Sequence, residues 1–191
     1  MKTNTSIRNC PIIGWKVAHS YVSLTKPDVL RFSPLSFRNT TYGVEGKAWC
    51  HGYKHVAPAP HLHCGCGFNA WDGEDTSVRY MSEAQKLYEV RSTALPDMKE
   101  RAANWVMLRV ALFGRVIEGT MSATNVDDFG YRASNQRVLD VFFDNRCAVC
   151  NNTAFNLVAF GVETFSPFFD GDCRRLRLFC AMHLDKTHTI L

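Results

Sequence analysis

Apolar positions along this chain recur mostly at period two, the spacing of a strand with one buried face. Residues 12–18 read as a first strand, and Val29, Leu30, Arg31 and Phe32 as a second, stopped by Ser33 and Pro34. A third candidate runs from Tyr42 to Trp49 and leads into Cys50, after which residues 51–67 collect prolines and glycines and read as a loop. The pattern switches to a helical stripe over residues 80–93, through Ala84, Leu87, Tyr88 and Val90; Ser82 is the candidate cap, and Leu95-Pro96 ends the helix. Period two then returns. Val106, Leu108, Val110 and Leu112 alternate with Met107, Arg109, Ala111 and Phe113, which predicts a mostly buried strand. Gly114 should bend it, and residues 115–118 continue it.

Residues 119–130 read as a polar turn containing Asp127, Asp128 and Gly130. Residues 136–143 fit a strand or a short helix, and periodicity does not decide between them. Residues 155–162 form an apolar strand, followed by a loop with Pro167 and Gly171, and residues 174–179 return as a second strand. The expected fold is β-rich α+β: a mixed β domain with one or two helices over residues 1–144, then a small zinc-ribbon-like module over 145–191.

Composition adds to this picture mainly through cysteine. The chain has 191 residues, 46% of them hydrophobic, which suits one large or two small globular domains. No apolar run reaches the roughly 18–20 residues of a spanning helix. The first 17 residues have no apolar core of a secretory signal, so the expected location is cytoplasmic. Eight cysteines are many for such a protein, and six of them fall in two groups that also hold histidines. Thiolate and imidazole together favour metal over disulfides.

The later group is built from two pairs. Cys147-Ala-Val-Cys150 places two thiolates on one tight turn, and Cys180-Ala-Met-His183 offers a thiolate and an imidazole at the same spacing. Each pair sits at the end of a candidate strand, as the two knuckles of a zinc ribbon do. Cys173 is the alternative to His183 as fourth ligand. Four ligands close zinc's tetrahedral shell, so this centre is expected to be structural, with no open position for water.

The earlier group contains Cys50, His55, Cys64 and Cys66, with His51, His61 and His63 nearby. Gly65 and Gly67 permit the tight turn that lets Cys64 and Cys66 share an ion. His55 is favoured as fourth ligand, with His61 and His63 as alternatives. The expected cofactors are therefore two structural Zn2+ ions. A catalytic zinc with a spare histidine as base is a further option here. The chain has neither the His-x-Glu of the zinc deaminases nor the His-Glu-x-x-His helix of metalloproteases. It also lacks a phosphate-binding glycine loop and a nucleophile elbow. Cys10 reads as a packed or idle thiol, and His19 and His188 have no partners visible in the sequence.

Charge is uneven. The net charge is +4, but residues 1–71 hold eight Lys and Arg against two Asp and Glu, and residues 72–100 hold four against seven. A basic N-terminal part can face nucleic acid or an acidic protein. Two further features are candidate partner surfaces. Arg175 and Arg177, with Arg174 beside them, would line one face of the last ribbon strand, where a charged outer face is the plain alternative. Phe165, Phe168 and Phe169 crowd a loop where exposure is costly, so they either fold back or anchor a partner.

The segment Cys50…His55-Val-Ala-Pro58…Cys64-Gly-Cys66-Gly67-Phe68-Asn-Ala70 resembles a C…H-x-A-P…C-x-C-G-x-x-A pattern of small uncharacterised proteins of actinobacteria and their phages. That family also shows a G-x-V-x-E strand and a G-Y-R-A segment, here Gly114-Arg-Val-Ile-Glu118 and Gly130-Tyr-Arg-Ala133. The resemblance spans roughly residues 12–140. It implies that Cys50, His55, Cys64 and Cys66 belong together, and it implies no activity. The insertion at residues 120–128 and the extra His61 and His63 depart from the pattern. The first expectation is a non-enzymatic, zinc-stabilised binding or adaptor protein, phage-borne and acting on host machinery. Its partner would be a host or phage protein or a nucleic-acid-containing assembly. Direct nucleic-acid binding is the second reading, and a zinc hydrolase at the earlier cluster the third.

Overall fold

Valine, isoleucine and aromatic residues at period two build long strands here, and a helix interrupts them. The computed structural model describes residues 4–26, 28–34, 41–50, 59–61, 64, 66–92, 105–122, 127–150, 152–164, 172–184 and 189–190. The elements are β1 (Asn4–Ser23), β2 (Leu30–Pro34), β3 (Glu45–Lys47), β4 (Phe68–Trp71), α1 (Glu74–Ser92), β5 (Trp105–Ser122), β6 (Asp127–Phe143), β7 (Asn156–Thr164), β8 (Asp172–Phe179), a 3-10 turn (Ala181–His183) and β9 (Thr189–Ile190). The protein is thus β-rich with one α-helix among the described residues, as the patterning predicts.

Several boundaries differ from the sequence reading. Pro34 does not stop β2 but closes it, in register with Ala18; a terminal position tolerates a residue with no N–H to give. Only the middle of the third candidate is a strand, with Tyr42 forming a single bridge to Phe32. The helix starts at Glu74, so Ser82 lies inside it and caps nothing. Glu74 and Asp75 in the first turn suit the positive end of the helix dipole. The ambiguous segment 136–143 is strand, part of a β6 that begins at Asp127, so Asp127 and Asp128 start a strand.

Packing divides the chain into two compact units, each built from three segments. The first holds Met1–Lys16, Val44–Tyr80 and Met107–Val141, and the second Val17–Gly43, Met81–Val106 and Phe142–Leu191. Residues 145–191 fall wholly in the second unit, and residues 1–144 are shared between the two.

In the first unit β6 pairs antiparallel with β3 (Gly46 opposite Gln136) and with β4 (Phe68 opposite Ala133, Trp71 opposite Gly130). Trp15 of β1 lies opposite Trp71. Leu108, Val110, Leu112 and Val116 are all fully buried, and Met107 and Ala111 are buried on the alternate face. Exposed Arg109 breaks that series and pairs with Asp140 at 2.6 Å. Inside this core Lys16 Nζ donates to Gln136 Oε1 at 3.2 Å and stands 5.4 Å from the Phe68 ring centroid.

β5 bends at Gly114, which has φ +79. A Cβ there would press into Ser134 Oγ and Asn135 Nδ2, closer than real contacts allow. Ser134 Oγ accepts from the Arg115 N–H at 3.0 Å, so the bend is tied into the β6 side chains. Gly114→Ala is therefore expected to lower stability by about 2–3 kcal/mol, from positive φ and crowding together. A urea midpoint unchanged from wild type would contradict this.

In the second unit β1 pairs with β2 and with β8, and β7 pairs with β8 and β9, all antiparallel. One apolar cluster joins Val22, Ala159 and Leu176, and another joins Cys147, Ala154, Val158, Leu178 and Phe179.

Candidate metal centres

The β7–β8 pair ends where a candidate metal centre begins. Asn156 lies opposite Phe179, and its Nδ2 donates to the Phe179 carbonyl at 3.0 Å, which fixes the strand ends beside Cys180. The Cys147–Cys150 turn is bound to the same ends. The Cys147 N–H donates to Asn152 O at 2.7 Å, the Ala148 N–H to Leu178 O at 2.9 Å, and Arg146 bridges Thr153. On the other side the 3-10 turn closes with the His183 N–H on Cys180 O at 3.0 Å, swinging the imidazole back toward its own cysteine.

Cys147, Cys150, Cys180 and His183 consequently place one donor atom each within 4.8 Å of one another. Cys150 and Cys180 Sγ are 3.7 Å apart, and His183 Nδ1 lies 3.3 Å from Cys180 Sγ and 3.8 Å from Cys147 Sγ. With Zn–S near 2.3 Å and Zn–N near 2.0–2.1 Å, tetrahedral edges come to roughly 3.5–3.8 Å, so these separations fit one ion. They are far too long for a disulfide, whose sulfurs sit about 2.05 Å apart. Burial works to raise the Cys147 pKa, but backbone hydrogen bonds from Cys150, Cys180 and Val149 outweigh it and bring the thiol down to about 6. A thiol so placed reaches the ligating thiolate form near neutral pH.

Cys173, the alternative fourth ligand, is elsewhere. It is fully buried in β8, packed with Tyr21 and in register with Ser23.

The first unit brings Cys50, Cys64 and Cys66 together, all half-buried, with Cys50 and Cys64 Sγ 3.7 Å apart. That again matches an edge of a zinc tetrahedron. Burial, first, and the neighbouring Cys64 and Cys50 thiols push Cys66 up to about 11. Crowded thiols resist ionising together, and a bound cation reverses that. His61 is described and its ring is not part of the group. His51, His55 and His63 lie outside the described residues.

This loop is fastened to β6 on both sides of its thiols. Before Cys64, the Cys64 N–H closes a turn on His61 O at 3.2 Å, and Arg132 Nη1 donates to the carbonyls of both His61 and Cys64. After Cys66, Gly67 takes φ +116, and a Cβ there would meet Pro60 Cβ at 2.9 Å and Ala133 O at 3.3 Å. Phe68 then enters β4 opposite Ala133. Arg132 and Ala133 are thus neighbours of Cys64 and Gly67, far away in sequence. Arg132 carries a role that spacing alone did not reveal.

The proposed partner surfaces fare differently. Arg175 and Arg177 are each only 8% exposed, so they do not form a solvent face of β8; Arg174 is half-buried. The reason is register: Arg175 faces Tyr21 of β1, its guanidinium 5.7 Å from the ring centroid, and Arg177 lies opposite Val158 of β7. Both alternate sets of β8 are buried, Arg175 and Arg177 as well as Leu176 and Leu178, so neither face of this stretch is solvated. Phe165, Phe168, Phe169 and His188 lie outside the described residues. Cys10 is exposed. His19 stands edge-on to Trp105 at 6.4 Å. No helix among the described residues is long and apolar enough to cross a membrane.

No protein-family model, curated protein or solved structure matches this chain.

Proposed function

We propose that this chain is a non-enzymatic binding or adaptor protein stabilised by two structural zinc ions. One is held by Cys147, Cys150, Cys180 and His183, the other by Cys50, Cys64 and Cys66 with His55 as the fourth ligand. The carrying observation is the set of four donors converging in the second unit at tetrahedral spacing. A shell closed by four protein ligands has no place for a substrate or an activated water.

A protein partner, host or phage, is favoured over nucleic acid. Among the described residues, three large apolar side chains exceed half exposure: Val149 at 58%, Phe155 at 78% and Met182 at 85%. Val149 and Met182 sit inside the two metal-binding turns, and Phe155 directly precedes β7. Residues 147–157 and 179–184 contain no Asp, Glu, Lys or Arg, so these segments offer no Lys or Arg charge to draw a phosphate backbone. Burial of Arg175 and Arg177 also removes two cations from the nucleic-acid reading.

Native mass spectrometry of protein purified with zinc and without chelator tests the metal content. Two zinc ions per chain are expected, and one or none refutes the two-centre reading.

A further inference from the structure

The two metal centres are built differently, and the difference points to one residue. In the second unit the ligand turns are fastened by backbone hydrogen bonds to strand ends and to an apolar cluster that includes Cys147 itself. In the first unit the turn that delivers Cys64 is met by a side chain. Arg132 projects from β6, where its backbone is in register with Asn69 of β4. Its Nη1 carries two hydrogens and donates to two carbonyls, at 3.2 Å to His61 O and also to Cys64 O. These are the two ends of the His61–Cys64 turn, since the Cys64 N–H is bonded to the same His61 carbonyl.

We infer that Arg132 is the positioning residue of the first metal centre: it sets where Cys64 stands and thereby the metal affinity of Cys50, Cys64 and Cys66. This rests on reading that cluster as a metal centre. Two physical effects combine. The guanidinium is a planar, permanently charged donor, and its bonds to carbonyls are stronger than those of a neutral group. Holding both ends of the turn removes loop freedom that would otherwise be lost on metal binding, a cost that preorganisation reduces. Three thiolates around a divalent ion also carry a net negative charge, and the guanidinium bonded to the Cys64 carbonyl offsets it. Second-sphere groups of this kind commonly change metal affinity by about 10–100-fold.

The second centre supplies the internal control. Cobalt(II) is titrated into metal-free full-length protein while the thiolate-to-cobalt charge-transfer band is followed, with a competing chelator to resolve affinities. Wild type is expected to take up two ions. Arg132→Ala should keep one at wild-type affinity and weaken the other at least tenfold. Arg132→Lys, which keeps the cation and can still reach a carbonyl, should recover part of the loss. A Cys66→Ser variant identifies which signal belongs to the first centre.

Wild-type affinity at both centres in Arg132→Ala overturns the inference. So does equal weakening of both centres, or a loss of β circular dichroism that Arg132→Lys does not restore, because either marks a general folding role. If wild type itself takes up only one ion, the two-centre reading fails before Arg132 is in question, and the wild-type titration alone shows it.

Discussion

Replacing Cys147 by Ser is expected to reduce zinc from two ions to one and to unravel the β7–β8 end of the second unit. In the proposed centre Cys147 would be ligand and core residue at once. It is 4% exposed and packs in one cluster with Ala154, Val158, Leu178 and Phe179, while its N–H anchors the turn to Asn152. Binding of a structural zinc is coupled to folding on the order of 10 kcal/mol, and a hydroxyl is a poor substitute for a thiolate ligand. The substitution also buries a polar group in an apolar cluster. The variant should bind one zinc by native mass spectrometry, and limited proteolysis should cut first within residues 142–191. The comparison is Cys173→Ser, which alters a fully buried thiol of the same unit that lies outside the centre. It is expected to lose stability but keep both ions. A Cys147→Ser protein that resists protease and holds two zinc ions would remove this centre from the account of the fold.

What the sequence made legible was chemistry at short range. Cys147 with Cys150 and Cys180 with His183 declare themselves by spacing, because two residues between ligands is what one turn needs. The alternation through Leu108, Val110 and Leu112 likewise reads as a buried strand, because side-chain direction in a strand follows directly from sequence position. Long-range register is not written that way. Arg175 and Arg177 read as a solvated face because charged alternate positions usually are one. In the structure both are buried, and the pairing of β8 with β1 sets Tyr21 beside Arg175, which no local pattern announces. Arg132 was hidden for the same reason, since nothing local links it to His61 and Cys64, 71 and 68 residues away. The helix began earlier than expected because its first turns are polar, and Glu74 and Asp75 support it through the dipole and not through an apolar stripe.

Lys16 gives the second large expectation, one that depends on pH. Its side chain lies in the first unit's core at 8% exposure, and burial pulls its pKa from 10.5 down to about 7. The folded pKa is depressed, so between about pH 7 and pH 10.5 the unfolded chain keeps a proton that the folded chain releases. Stability therefore rises with pH across that window, and the burial penalty is full below it, where both states are charged. A shift of this size corresponds to a full penalty on the order of 5 kcal/mol below the window. Lys16→Met should remove it. The substitution also takes a donor from Gln136 Oε1, and Gln136 Nε2 already has no hydrogen-bond partner among the described residues. An orphaned amide costs about 1–3 kcal/mol, so the single variant recovers only part of the gain. The double variant Lys16→Met with Gln136→Leu, which leaves neither polar group behind, should be the most stable of the three. Urea denaturation from pH 7 to pH 9.5 supplies the measurement, read as the difference from wild type so that titration of the cysteines largely cancels. The advantage of Lys16→Met should shrink steadily as pH rises. A difference that stays constant, or grows, would mean that Lys16 enters the folded core with its charge kept and compensated.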